Sequence, residues 1–267
     1  MNDARDIFLR RVYDRSFQDL KTLSAKLPED TVITLAREVL LHVASKADPD
    51  LPAPADIETL ALDLIHHDPD RAAGVVRSIQ TAGASIADIY LHHLAAAARQ
   101  LGAWWETDRI SLVDVTVGTG RIFAIMRGLA PLFTLPDPGP RKSALFAAVP
   151  DETHTLGVKM AADLFRQNDW DIDLRLGATN ATLAAEIADH PPRIVGLSAG
   201  GMHATAALAK IIITIRIHSP ATAILVSGQV VNDAPDIVAL MQPDAMTTDF
   251  DTTEVEMNRL WTATTPQ

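Results

Sequence analysis

His154 lies in the stretch Asp151-Glu-Thr-His-Thr-Leu-Gly157, directly after a short apolar, β-rich run. A loop imidazole there is a candidate ligand for a late transition metal. Gly157, three residues on, would let a large ligand pass close to the backbone. Two further stretches, Ser198-Ala-Gly-Gly201 and Ser227-Gly228-Gln229, add hydroxyls and glycines. Gly196-Leu-Ser198-Ala-Gly200 also has the form of a hydrolase nucleophile elbow, which needs Ser, then an acid, then His in chain order. The first Asp after Ser198 is Asp233 and the last His is His218, so that order fails.

Other groups carry less. Gly118-Thr-Gly120 is followed by Phe123 where a dinucleotide fingerprint needs Gly or Ala, and it lies in a helical context. His66-His67 and His92-His93 are adjacent pairs whose side chains point about 100° apart on a helix and do not converge on one metal. Trp105 falls on an apolar helical stripe, where spacing alone favours a core role.

The elements that must position these residues change character at Leu135-Pro-Asp-Pro-Gly-Pro140, where three prolines and a glycine forbid a continuous helix. Upstream, Asp68-Pro69 predicts an N-cap followed by proline at the first helical position, opening a helix through Ile79. Ser85 predicts the next cap. Ile86, Tyr90, Leu94, Ala97, Leu101 and Trp105 recur at three or four, one face of a single helix. Another helix spans 112–132, and residues 1–65 read as largely helical. Downstream, strands are predicted at 145–149, 172–176, 194–197, 224–226 and 245–247, alternating with helices near 155–167, 181–189, 202–217, 234–241 and 251–262. That alternation implies a parallel sheet covered on both faces. The expected architecture is an N-terminal helical bundle (1–134), a linker (135–141) and a flavodoxin-like, doubly wound five-stranded α/β domain (142–267).

Composition limits the function. The 267 residues contain no cysteine, which removes disulfides, thiolate nucleophiles and Cys-based metal sites and fits a reducing compartment. Net charge is −11, with acids outnumbering bases on both sides of residue 141. Autonomous nucleic-acid binding needs a clustered basic face that is not present. The charged start MNDARDIFLRR and the lack of a run of about 18 apolar residues predict a cytoplasmic protein without membrane contact.

Residues 142–267 resemble the cobalamin-binding domain of methionine synthase and corrinoid proteins, whose signature is Asp-x-His-x-x-Gly, then Ser-x-Leu, then Gly-Gly. His154 and Gly157 match the first part, Ser198 the second and Gly228 the third. The resemblance implies that His154 is the lower axial ligand of cobalt. It also implies a slot for the nucleotide tail lined by Ser198 and Gly228, with Thr153, Thr155, Leu156, Gly200 and Ser227 beside the cofactor. Thr153 is taken as occupying the slot of the family's Asp, with Asp151 and Glu152 off register; Gly200 stands for Leu and Ser227 for the first Gly.

Ile89-Tyr90 and the run from Ala98 to Gly118 resemble the helical cap of the same proteins. Cobalamin would be sandwiched between cap and domain, Trp105 shielding the upper ligand. Light-sensing cobalamin repressors carry a Glu-His pair ten and eleven residues after that tryptophan; here the positions hold Val115 and Thr116.

The layout and the Glu-Thr-His-Thr-Leu-Gly loop are similar to the AerR and PpaA group of cobalamin-binding antirepressors. That implies a non-enzymatic sensor, responsive to light or to the upper ligand, that contacts a transcriptional repressor. The alternatives are the corrinoid protein of a methyltransferase system, or a heme or bilin sensor using the same cleft.

Overall fold

The computed structural model describes residues 52–132 and 141–264. The predicted linker 135–141 lies outside them apart from Arg141, as do the first 51 residues. Contacts divide the chain into two compact units, one ending at Arg127 and one beginning at Gly128.

In the first unit, Pro52 and Ala53 lead into helix α1 (Pro54–Ile65), with proline at its start where no intrahelical N–H is lost. Helix α2 (Asp70–Thr81) begins one residue later than predicted: Pro69 occupies the cap position and Asp68 Oδ1 accepts from the Asp70 N–H at 3.0 Å. Ser85 is the predicted cap, in a reciprocal box with Asp88. The segment beyond Ser85 is not one regular helix. Ile86–Asp88 runs into a π-helical stretch, Ile89–Leu94, before helix α3 (Ala95–Glu106). The stripe it buries is Tyr90, Leu94, Ala97, Leu101 and Trp104. Consecutive tryptophans stand about 100° apart on a helix, so only one can follow Leu101 into the core. Trp104 takes that place and Trp105 is 46% exposed, which corrects the predicted stripe.

Helix α4 (Leu112–Leu129) ends in a 3-10 turn, Ala130–Leu132. At Gly118 a β-carbon would come within 2.6 Å of Leu101 Cδ1 and 3.3 Å of Ile65 Cγ2, so this glycine serves helix packing. Arg121 donates from Nη1 to the carbonyls of Leu64 and His66, closing the end of α1.

The second unit is a five-stranded parallel sheet in the order β2-β1-β3-β4-β5. Strands β1 (Lys142–Ala148), β2 (Trp170–Arg175), β3 (Ile194–Ser198), β4 (Ala223–Ser227) and β5 (Ala245–Thr247) alternate with helices α5 (Leu156–Gln167), α6 (Asn180–Asp189), α7 (Thr205–His218), α8 (Gln229–Asp233), α9 (Pro235–Leu240) and α10 (Phe250–Ala263). A 3-10 turn, Met202–Ala204, precedes α7. This is the expected flavodoxin-like fold. The short helix α8 is an addition to the predicted elements.

Both sheet faces are covered, which explains the nearly continuous apolar runs. Leu145, Ala147, Val195, Leu197, Ile224 and Val226 pack with Leu183 and Ile187 of α6 and Leu208, Ile211 and Ile215 of α7. Ala144, Phe146, Ile172 and Leu225 pack on the other face with Phe165 of α5 and Met257 and Leu260 of α10. Gly196 makes room there: its β-carbon would sit 2.8 Å from Phe146 Cδ1.

Gly196→Ala should therefore overpack the Phe146 ring and lower stability by about 1–3 kcal/mol in urea denaturation. Asp249 caps α10, and the hydrogen bond from the Thr252 N–H holds its carboxyl below the usual value. Its contribution is complete above the unfolded-state pKa and is lost as pH falls through the depressed folded value. Asp249→Asn keeps a capping acceptor, so it should match the wild type near neutrality and lose less stability on acidification, read from denaturation curves between about pH 3 and 7.

Candidate functional site

In an open parallel sheet the ligand crevice forms beyond the strand carboxyl ends, where successive connections leave in opposite directions. Here β1 lies between β2 and β3, so that point is set by the loops after β1 and β3. The strand ends are tied together: Val149 N–H donates to Ser198 O at 3.0 Å and Ala199 N–H to Ser227 O at 3.1 Å.

The Glu152 side chain lies at the bottom of this crevice with no exposed surface. Its Oε1 accepts from the His154 backbone N–H and lies 2.8 Å from His154 Nδ1, and its Oε2 accepts from the Gly200 N–H at 2.5 Å. His203 Nε2 lies 3.7 Å from the same Oε2. Burial alone would raise the Glu152 pKa, but the hydrogen bonds from His154 N–H, Gly200 N–H and the His154 ring outweigh it and hold the carboxyl below its ordinary value. An ionised carboxylate only accepts, so the proton in the 2.8 Å contact sits on Nδ1. Nε2 is left with its lone pair free to accept or coordinate, on an imidazole that is 67% exposed.

Thr153 does not fill the slot two residues before His154. Glu152 does, and its carboxylate makes the contact for which the slot is used. Thr153 is exposed beside it. Thr155 precedes α5, with its N–H bonded to Thr153 O at 3.0 Å, and Leu156 opens the helix.

The glycines have separate reasons. At Gly200 a β-carbon would lie 2.7 Å from Glu152 Oε2 and 2.8 Å from His154 Nδ1, so any side chain would break the pair. At Gly228 φ is +99°, and a β-carbon would be 2.4 Å from Ala199 O. Among the described residues nothing lies within 4 Å of the β-carbon position of Gly157, in the first turn of α5. Ser198 is buried at the end of β3, paired in register with Ser227 at the end of β4.

The structure brings together His154, Gly200, Ser198, Ser227 and Gly228 around the strand ends, with Gly157 beside them. It adds Glu152 to them and sets His203 beside Glu152 Oε2, and the sequence motifs single out neither. The spacing of an acid two residues before His154 is the signal for the first; the second carries only its place after Gly200-Gly201. Trp105 and Val115 belong to the helical unit, Trp105 exposed near the end of α3 and Val115 half-buried in the first turn of α4. The His66 and His67 rings lie with centroids 3.9 Å apart, tilted by 42°, in the same unit.

An oriented imidazole beside an open glycine at the switch point suits a large metal-bearing cofactor. Residues 142–254 match the family model of the B12 binding domain. The crevice and the loops that form it fall wholly within the matched residues. The chain is 24% identical over 168 residues, 62% of its length and 88% of the other's, to an uncharacterized 20.5 kDa protein in the bchF-crtJ intergenic region of Rhodobacter capsulatus. Its fold is similar to that of the monomethylamine corrinoid protein of Methanosarcina barkeri, with a TM-score of 0.65 and 14% identity over 77% of this chain and 98% of that one. Among the described residues no helix is long and apolar enough to cross a membrane.

The geometry separates the two adjacent residues. Glu152→Gln replaces one acceptor oxygen by a donor facing N–H groups, and should cost about 1–3 kcal/mol. Thr153→Ala, at an exposed position, should stay within about 0.5 kcal/mol of the wild type. Parallel urea denaturation of the two variants checks both values.

Proposed function

We propose that the B12-binding domain takes up a cobalamin with His154 Nε2 as its lower axial ligand, and that the protein works as a ligand-responsive sensor and not as an enzyme. The observation that carries the ligand assignment is the Glu152–His154 pair. The buried carboxylate fixes the tautomer and ring orientation and increases the donor strength of Nε2, as outer-shell carboxylates do for metal-bound histidines. Gly157 leaves space next to the ligand, and Ser198, Ser227 and Gly228 supply the strand-end surface that would receive the nucleotide tail. When bound, the corrinoid would supply a cobalt centre able to exchange a ligand.

The sensor reading is supported by the form of the Glu152-Thr-His-Thr-Leu-Gly157 loop, similar to that of cobalamin-binding antirepressors. The acidic charge of both halves disfavours direct DNA contact. The signal would then pass to a transcriptional repressor through protein contact. This requires that the partner distinguish two ligand states.

One observation favours a second reading, the corrinoid carrier of a methyltransferase system. With Glu152 supplying the carboxylate, the ligand loop has the acid-x-His-x-x-Gly form such a carrier uses.

The purified full-length chain should be incubated in the dark with hydroxocobalamin or adenosylcobalamin and desalted, and spectra recorded before and after illumination. Retention of one cobalamin per chain, with a spectrum altered by His154→Ala, is the expected result. A light-dependent change in the spectrum and in repressor binding supports the sensor; a light-independent, methyl-transferring cobalt centre supports the carrier. Loss of cobalamin on desalting refutes both, and a Soret band in the isolated protein assigns the cleft to heme.

A further inference from the structure

Glu152, His154 and His203 each offer a ligand atom, and the three atoms lie within 4.8 Å of one another. They arrive from two loops. Glu152 and His154 follow β1, while His203 is carried by the Met202–Ala204 turn after β3, behind Gly201 at φ +151°. A tetrahedral zinc ion with bonds of about 2.0–2.1 Å has ligand-to-ligand edges of about 3.4 Å. The separations of 2.8 Å for His154 Nδ1–Glu152 Oε1 and 3.7 Å for His203 Nε2–Glu152 Oε2, measured to the two different carboxylate oxygens, bracket that edge, and a set with one carboxylate oxygen lies within 4.8 Å. The carboxylate is immobilised by two backbone N–H groups, and both imidazoles are exposed, so an ion can enter and the rings can adjust.

We propose that, in the absence of a corrinoid, Glu152, His154 and His203 form a binding site for a divalent transition-metal ion, with Zn2+ as the representative ion and the fourth position open. Binding replaces the proton held between His154 Nδ1 and Glu152 Oε1 by the metal, and the neutral ring takes up its other tautomer, its one N–H now on the exposed Nε2. No electron is transferred. The site uses Nδ1 of His154, whereas corrinoid ligation would use Nε2. His203 belongs only to the zinc site, so it separates the two functions.

The test uses the metal-free full-length chain, titrated with ZnCl2 by calorimetry and with CoCl2 by visible absorption, which reports four-coordinate Co2+. One ion per chain is expected. His203→Ala and Glu152→Gln should each weaken Zn2+ binding by at least about tenfold. His203→Ala, an exposed substitution that should leave the fold intact, should still retain hydroxocobalamin. Absence of Zn2+ binding, or a loss smaller than that in His203→Ala, overturns the proposal. Zn2+ binding of this kind in a wild type that fails to retain hydroxocobalamin upholds the metal site and refutes the corrinoid reading.

Discussion

A carboxylate with no exposed surface must be satisfied on all sides, and Glu152 meets that condition only if two loops hold their shape together. Its oxygens take the His154 and Gly200 backbone N–H groups, one from the loop after β1 and the other from the loop after β3. Removing either donor would leave a buried charge under-satisfied, which costs more than an ordinary hydrogen bond contributes. The same group presents the His154 ring. Loop conformation and imidazole orientation are thus one constraint, and it explains why Gly200 can carry no side chain: the space where one would begin is occupied by the carboxylate and the imidazole.

Much of this is legible in the chain. The five strands appear within a few residues of their predicted places, because both faces of a covered parallel sheet demand apolar residues and the runs between helices have nowhere else to go. His154, Gly157, Ser198 and Gly228 all fall on one edge, as the switch-point rule requires. Glu152 is legible too, since it and not Thr153 stands two residues before His154; assigning the slot to Thr153 is a slip of one residue of register. His203 is out of reach. It is 49 positions from His154 in sequence, and only the pairing of β1 with β3 makes them neighbours.

The helical unit shows the limit of periodicity as evidence. The predicted stripe holds from Tyr90 to Leu101 and then ends on the wrong tryptophan. A 3.6-residue repeat cannot choose between steps of three and four at the last turn; packing decides, and the Arg109 guanidinium lying 5.0 Å over the Trp104 ring completes that choice. The Gly118 fingerprint resemblance dissolves in the same way, into a close approach between helices.

The order of strands also bears on how the chain comes into being. β1 is made first and lies inside the sheet, yet both of its neighbours are made later, β3 only after some fifty further residues. Until Ile194–Ser198 leaves the ribosome, the apolar β1 keeps an unpaired edge and the Gly200 N–H that Glu152 needs does not exist. Parallel pairing of this kind is slow because each contact closes a long loop, and an uncovered apolar edge invites pairing with other chains. The nascent domain is therefore most exposed to misassembly between the synthesis of β2 and that of β3, and the buried carboxylate can ionise in its final setting only once that interval has passed.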